Sequence, residues 1–176
     1  MTSPEHRSDP PVAADEITTL RSFLDYHRET LRWKTSGLTR EQLAQTHPPS
    51  TMTLIGMLKH LAFVEDWWFN IVLTGNPAGE PFADVDWSAD PDWDWHSAVD
   101  DAPEDVLALW EGYVARSDRL VDAAPDGLDT VSARPSSRTG NLFTLRWILV
   151  HMIEEYARHN GHADLIREAI DGAVGE

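Results

Sequence analysis

Apolar positions along the chain recur every three or four residues rather than in alternation, the period of helices that pack through one face. The first stripe runs from about Asp15 to Ser36 through Ile17, Leu20, Leu24, His27 and Leu31, with Gly37 as a natural stop. Thr39 with Gln42 makes a capping box ahead of Leu43, which predicts a short turn of helix broken by His47, Pro48 and Pro49. A second long helix is predicted from near Thr53, where Leu54, Met57, Leu58, Leu61, Val64, Trp68, Ile71 and Val72 form a wide stripe ending before Gly75.

From Gly75 to Asp101 the composition turns to proline, glycine, aspartate and tryptophan, which predicts a long ordered loop lying over the helices. Pro103 suits the first turn of a third helix, carried to Pro125 by Val106, Leu109, Trp110, Tyr113, Val114, Leu120 and Val121. Asp126 to Phe143 reads as loop again, and Thr144 caps a fourth helix of roughly Leu145 to Ile170. The pattern predicts an all-α fold, a four-helix bundle with a long Trp- and Asp-rich loop between its second and third helices. Residues 15–172 form one domain in this reading, and residues 1–14 a disordered or extended leading segment.

Composition narrows the functional classes. At 176 residues, with 41% hydrophobic and 25% charged, the chain can bury one real core and needs no membrane or fibre to explain it. Fourteen Lys plus Arg against 30 Asp plus Glu give a formal charge of −16, which repels phosphate backbones and anionic membrane surfaces. No run approaches the roughly 18 to 20 apolar residues of a membrane span, and the N-terminus lacks the apolar core of a secretory signal, so a cytoplasmic location is expected. Cysteine is absent, which removes disulfides, cysteine-ligated zinc and cysteine nucleophiles together. Any thiol chemistry must use a thiol brought from outside.

Candidate chemistry concentrates in the fourth helix, LRWILVHMIEEYARHNGHADLIRE, whose inward stripe includes His159. His151, Glu155, His159 and His162 follow at spacings of four, four and three, so neighbours stand ~5 to 6 Å apart on one face. Imidazole and carboxylate at i, i+4 on a rigid helix can address one zinc, nickel or iron(II) ion, and only adjacent members of the row can share it. A Glu–His pair at this spacing is also a common surface pairing worth ~0.2 to 0.5 kcal/mol, so spacing alone does not decide. For a ligand from another helix, His60 at the edge of the second stripe is the first choice and His27 the second, since His6 and His47 fall in exposed segments and His96 in the long loop. Asp90, Asp92 and Asp94 mimic the start of a calcium loop, but Trp95 stands where that loop needs glycine and Asp101 where it needs glutamate. Asp164, Asn160 and Asp66 are candidates to orient an imidazole through its other nitrogen, Arg158 to meet an anionic substrate, and Gly161 to let a neighbouring helix or ligand approach.

The stretches RETLRWKTSGLTREQL, LIGMLKHLAFVEDWWF and WILVHMIEEYARHNGHADLIRE resemble the DinB-like superfamily of metal-binding four-helix bundles, in particular its mycothiol- and bacillithiol-dependent S-transferase branch. The resemblance implies one metal-ligand histidine on the second helix and a pair separated by three residues on the last, which fall here on His60, Glu155 and His159. Many relatives carry two histidines in the pair. Glu155 in its first place resembles the mycothiol-dependent maleylpyruvate isomerase branch and implies a mixed nitrogen and oxygen site.

Three protein ligands leave positions open for water or substrate, as catalytic sites do. The reading that follows is a divalent-metal enzyme, zinc first and nickel or iron next, that activates an external thiol such as mycothiol for S-transfer to, or isomerisation of, an electrophilic small molecule. Trp87, Trp93 and Trp95 would then lie in a lid over the cofactor. The alternatives are a metal-dependent hydrolase using the same ligands and a non-catalytic metal-binding module closed by His151 or His162. A homodimer is expected from the resemblance alone.

Overall fold

The computed structural model describes residues 7–174, so the expectation for His6, and that for the first six residues of the leading segment, lies outside the described residues. The fold is mostly helical, as the periodicity implies. Four long helices carry it: α1 (Glu16–Thr35), α3 (Leu54–Glu65), α5 (Pro103–Asp122) and α6 (Leu145–Asp171), with one-turn helices α2 (Arg40–Leu43) and α4 (Trp93–His96) between them. No helix among the described residues is long and apolar enough to cross a membrane.

The ends are set by local chemistry. Asp15, Thr39, Thr53 and Thr144 each turn a side-chain oxygen onto the first free amides of α1, α2, α3 and α6, and the Thr39–Gln42 box is complete in both directions. Pro103 opens α5 with Glu104 and Asp105 in its first turn. Gly172, at φ 76°, ends α6 in the left-handed conformation that glycine adopts without strain.

Helix α1 packs along α6 and α3 along α5, while α3 also touches α1 and α6. The shared core includes Leu24 and Leu31 from α1, Leu54, Leu58 and Leu61 from α3, Trp110 from α5, and Leu145, Ile148, Leu149, Met152 and Tyr156 from α6. Polar side chains are buried within it. The Arg28 guanidinium forms two bonds of 2.9 Å to the Glu65 carboxylate, Tyr156 donates to Glu65 at 2.8 Å, and the Trp110 indole donates to Tyr156 at 2.9 Å. Arg28 also reaches Asp118 on α5 at 2.9 Å and Asp25 at 3.0 Å. One hydrogen-bonded chain thus ties α1, α3, α5 and α6 together, and it satisfies every charge it buries.

Three local features depart from the periodic reading. Beyond Glu65 the second long helix widens into π-helical turns over Asp66–Leu73. There the buried Asp66 and Asn70 bond each other at 2.8 Å, and Asp66 takes the Gly79 amide at 2.8 Å, which anchors the start of the long loop. The segment from Asp126 to Phe143, expected as loop, contains an antiparallel pair, β1 (Val131–Pro135) and β2 (Leu142–Thr144). In β1 only Ser132 is buried, so no alternating apolar signal marks it. The long loop is itself folded into short helical turns at Phe82–Asp84, Trp93–His96 and Ser97–Val99.

Candidate metal centre

Helices α3 and α6 bring three donors to one place. His60 Nε2 lies 3.5 Å from Glu155 Oε1, and His159 Nε2 lies 3.2 Å from the same oxygen. One ligand atom from each of the three residues can be chosen so that all lie within 4.8 Å of one another. The imidazoles of His60 and His159 meet at 5.0 Å between centroids, close to edge-on at 62°. His159 is buried, whereas His60 and Glu155 keep about a fifth of their side-chain surface in contact with solvent (20% and 23%), so the group sits at the rim of the core with access from outside.

The electrostatics give the centre an anion at Glu155 and, at His60, a proton that a metal must displace. Close contact with the His159 ring, and then with the His60 ring, holds the Glu155 carboxyl well below the usual carboxylate range, so it is an anion at any pH near neutral. Burial alone would lower the His60 imidazole, but the carboxylates of Asp94 and Glu155 outweigh it and raise its pKa above the ordinary value. The buried His159 Nδ1 has no hydrogen-bond partner among the described residues. Two imidazoles and one carboxylate, all from helices, match the donor chemistry of zinc and neighbouring divalent metals.

The other nominated residues are elsewhere. His151 is stacked on Trp147 at 5.1 Å and set edge-on to Trp68 at 4.6 Å, outside the three-donor group. His162 touches His159, with centroids 5.7 Å apart, but does not join that group either. His27 lies on α1, where its carbonyl oxygen accepts from Asn160 at 2.9 Å. Asp164 pairs with Lys34 at 2.7 Å and Asp66 is committed to the loop anchor, so none of Asp164, Asn160 and Asp66 bonds a ring of the triad. Arg158 is exposed beside Glu154. A Cβ added to Gly161 would meet nothing within 4 Å, so close approach of a neighbouring helix does not explain that glycine.

The carboxylate in contact with the far side of the His60 ring is Asp94, which in the sequence stands out only as part of an incomplete calcium-loop pattern. Its Oδ2 lies 2.7 Å from His60 Nδ1, and its side chain is almost fully buried. Next to it, Trp95 stacks on His60 at 4.7 Å and 26° and contacts His159 at 5.6 Å. Trp93 lies over the Lys59 ammonium at 4.1 Å, while Trp87 stacks on Phe63 at 4.5 Å. Of these three indoles Trp95 is the one that meets the donors and walls one side of the centre, while Trp93 and Trp87 pack on neighbouring residues of the helix. Trp95 also lines a cavity of about 400 Å³, together with Thr46, Thr51, Met52, Asp92 and His96, and none of the three donors lines it.

A helical frame with a two-histidine, one-glutamate cluster on adjacent helices defines a class of candidate metalloprotein. The chain belongs to the mycothiol S-transferase family, whose model matches residues 19–172, from within the first turn of α1 to the end of α6. No curated protein matches it.

Proposed function

We propose that this chain is a single four-helix bundle of the DinB-like type that binds one divalent transition metal through His60, Glu155 and His159. It would use that centre to deprotonate an external low-molecular-weight thiol, mycothiol by family, and join its sulfur to an electrophilic small molecule, the thiol keeping its own C–S bond and its proton passing to solvent. The observation that carries the reading is the convergence of the three donors from α3 and α6 at mutual distances one ion can span. Family membership supplies the thiol.

A bound divalent ion would supply the positive charge that keeps a thiol deprotonated, and therefore nucleophilic, at neutral pH. The protein's own residues do the rest. His60 and His159 present neutral nitrogens and Glu155 the single negative charge, so the centre retains net positive charge for an anionic sulfur. Trp95 covers the two histidines on one side and excludes water there. The partial exposure of His60 and Glu155 leaves an approach for thiol and electrophile. Among the described residues no fourth His, Cys, Asp or Glu joins the group, which favours an open catalytic centre over a closed structural one.

The test is a conjugation assay with mycothiol and a fluorogenic electrophile, using protein loaded with zinc, nickel or iron(II). Rate acceleration that chelation removes, and that Glu155→Ala abolishes while the helical signal stays intact, is the expected result. Metal-loaded protein that accelerates no thiol conjugation, yet hydrolyses esters or amides, would replace the S-transferase reading with the hydrolase one.

A further inference from the structure

Two consecutive residues of α3 take their polar partners from one short stretch of the long loop. The Lys59 ammonium reaches Ser97 Oγ at 2.8 Å and Asp101 Oδ2 at 2.5 Å while lying over the Trp93 ring. His60 takes Asp94. One turn earlier, Gly56 makes room for the same stretch: a Cβ there would come within 3.0 Å of the Trp95 ring and 3.3 Å of its carbonyl oxygen, as well as 2.8 Å from Thr53 Oγ1. Helix α4 is thus fitted against one face of α3 at three points, and Asp94 is its only carboxylate buried at that contact.

A buried carboxylate needs partners for both oxygens or its desolvation goes uncompensated. Asp94 has two: the Trp95 amide on Oδ1 at 3.1 Å and the His60 ring on Oδ2 at 2.7 Å. A carboxylate oxygen can only accept, so this contact demands a proton on His60 Nδ1. That leaves the Nε2 lone pair as the ring's donor to a metal, and Nε2 is the atom turned towards Glu155. The stacked Trp95 ring fixes the plane in which that lone pair points.

Resting on the metal-centre reading above, we propose that Asp94 is a positioning residue for His60. It holds the imidazole as the Nδ1–H tautomer so that Nε2 faces Glu155 and His159, and the loop rather than helix α3 alone completes the metal centre. Carboxylates that fix a ligating histidine in this manner typically change metal affinity ~10- to 100-fold when removed.

The experiment has two readouts on wild type, Asp94→Ala, Asp94→Asn and, as a control in the same loop, Asp90→Ala. Nitrogen-15 NMR of the metal-free protein in alkaline buffer reports the His60 tautomer, and competition with a chelator reports zinc affinity. The expected result is Nδ1–H in wild type and Asp90→Ala, and a shift towards Nε2–H in Asp94→Ala. Zinc affinity falls ~10- to 100-fold in Asp94→Ala and by less in Asp94→Asn, whose amide oxygen can still accept. If Asp94→Ala fails to fold, Asp94→Asn carries the comparison, with a smaller loss of affinity expected. An Nε2–H tautomer in wild type, or wild-type zinc affinity in both folded Asp94 variants, overturns the proposal. Wild-type protein that holds the Nδ1–H tautomer yet binds no zinc, nickel or iron would sink the metal reading while leaving the positioning of His60 intact.

Discussion

Helices α3 and α6 meet twice through polar side chains, and the two meetings are built on opposite terms. At Glu65 and Tyr156 every charge is buried and answered: the Arg28 guanidinium, the Glu65 carboxylate, the Tyr156 hydroxyl and the Trp110 indole close on one another with no exposure beyond a few per cent. At His60, Glu155 and His159, a few residues along the same helices, the donors face a shared point, two of them reach solvent, and His159 Nδ1 has no partner among the described residues. A saturated network fixes how helices sit; a set of convergent lone pairs is useful only to something that arrives from outside. Because Tyr156 follows Glu155 directly, the first cluster holds the second in register.

The largest effect should come from breaking the closed cluster. Arg28→Ala removes the cation that faces the buried Glu65 carboxylate and leaves only the Tyr156 hydroxyl donating to it, and denaturant titration should show a loss of about 3–5 kcal/mol, large against typical domain stability. In contrast, Glu155→Ala or His159→Ala should cost the metal-free protein clearly less than Arg28→Ala does, because Glu155 keeps about a fifth of its side chain in solvent. What these variants should lose is the stabilisation that metal provides, about 2.7 kcal/mol at a free metal concentration 100 times Kd, seen as a melting temperature that no longer rises with added zinc. If the two clusters responded alike, the contrast between a scaffold and a site would be lost.

A finer distinction lies in pH. His60 is raised above its unfolded value, so in the metal-free protein its contribution to stability is fully present below the unfolded pKa and declines as pH rises through the folded one. Glu155 is depressed, and its contribution is lost only in strong acid. Metal binding needs neutral His60, so zinc affinity should rise with pH through the same range in which metal-free stability falls. Urea melts and chelator competition from about pH 6 to pH 9, spanning the raised imidazole range, should therefore slope in opposite directions. Parallel slopes would place the titrating group elsewhere. The smallest effect is at Gly161, whose exposed helical position has open space for a methyl group; Gly161→Ala should stabilise the protein by about 0.5–1 kcal/mol without altering metal affinity.

Much of this was legible in the chain because helices repeat. The 3.6-residue period located all four long helices, Asp15, Thr53, Pro103 and Thr144 marked their starts, and the four-residue step from Glu155 to His159 put two donors on one face. The edge position of His60 on its stripe already set it apart from His27. Asp94 was hidden because its partnership depends on how a non-periodic segment folds back over α3, and no spacing rule encodes a separation of 34 residues. Arg28 and Lys34 were equally silent: charged residues on a helix read as solvated, and only tertiary partners such as Glu65 and Asp164 explain their burial. The β1–β2 pair escaped for want of alternation, and the π-helical turns because an apolar stripe does not record a change of helical pitch.

The most direct test is a cobalt(II) titration of the wild-type protein and of His60→Ala, followed by visible absorption. A single equivalent bound by wild type, with the absorption of a mixed nitrogen and oxygen site, and its loss or marked weakening in His60→Ala is the predicted result. Tight stoichiometric binding with an unchanged spectrum in His60→Ala would show that the two helices do not share an ion, and would contradict the account.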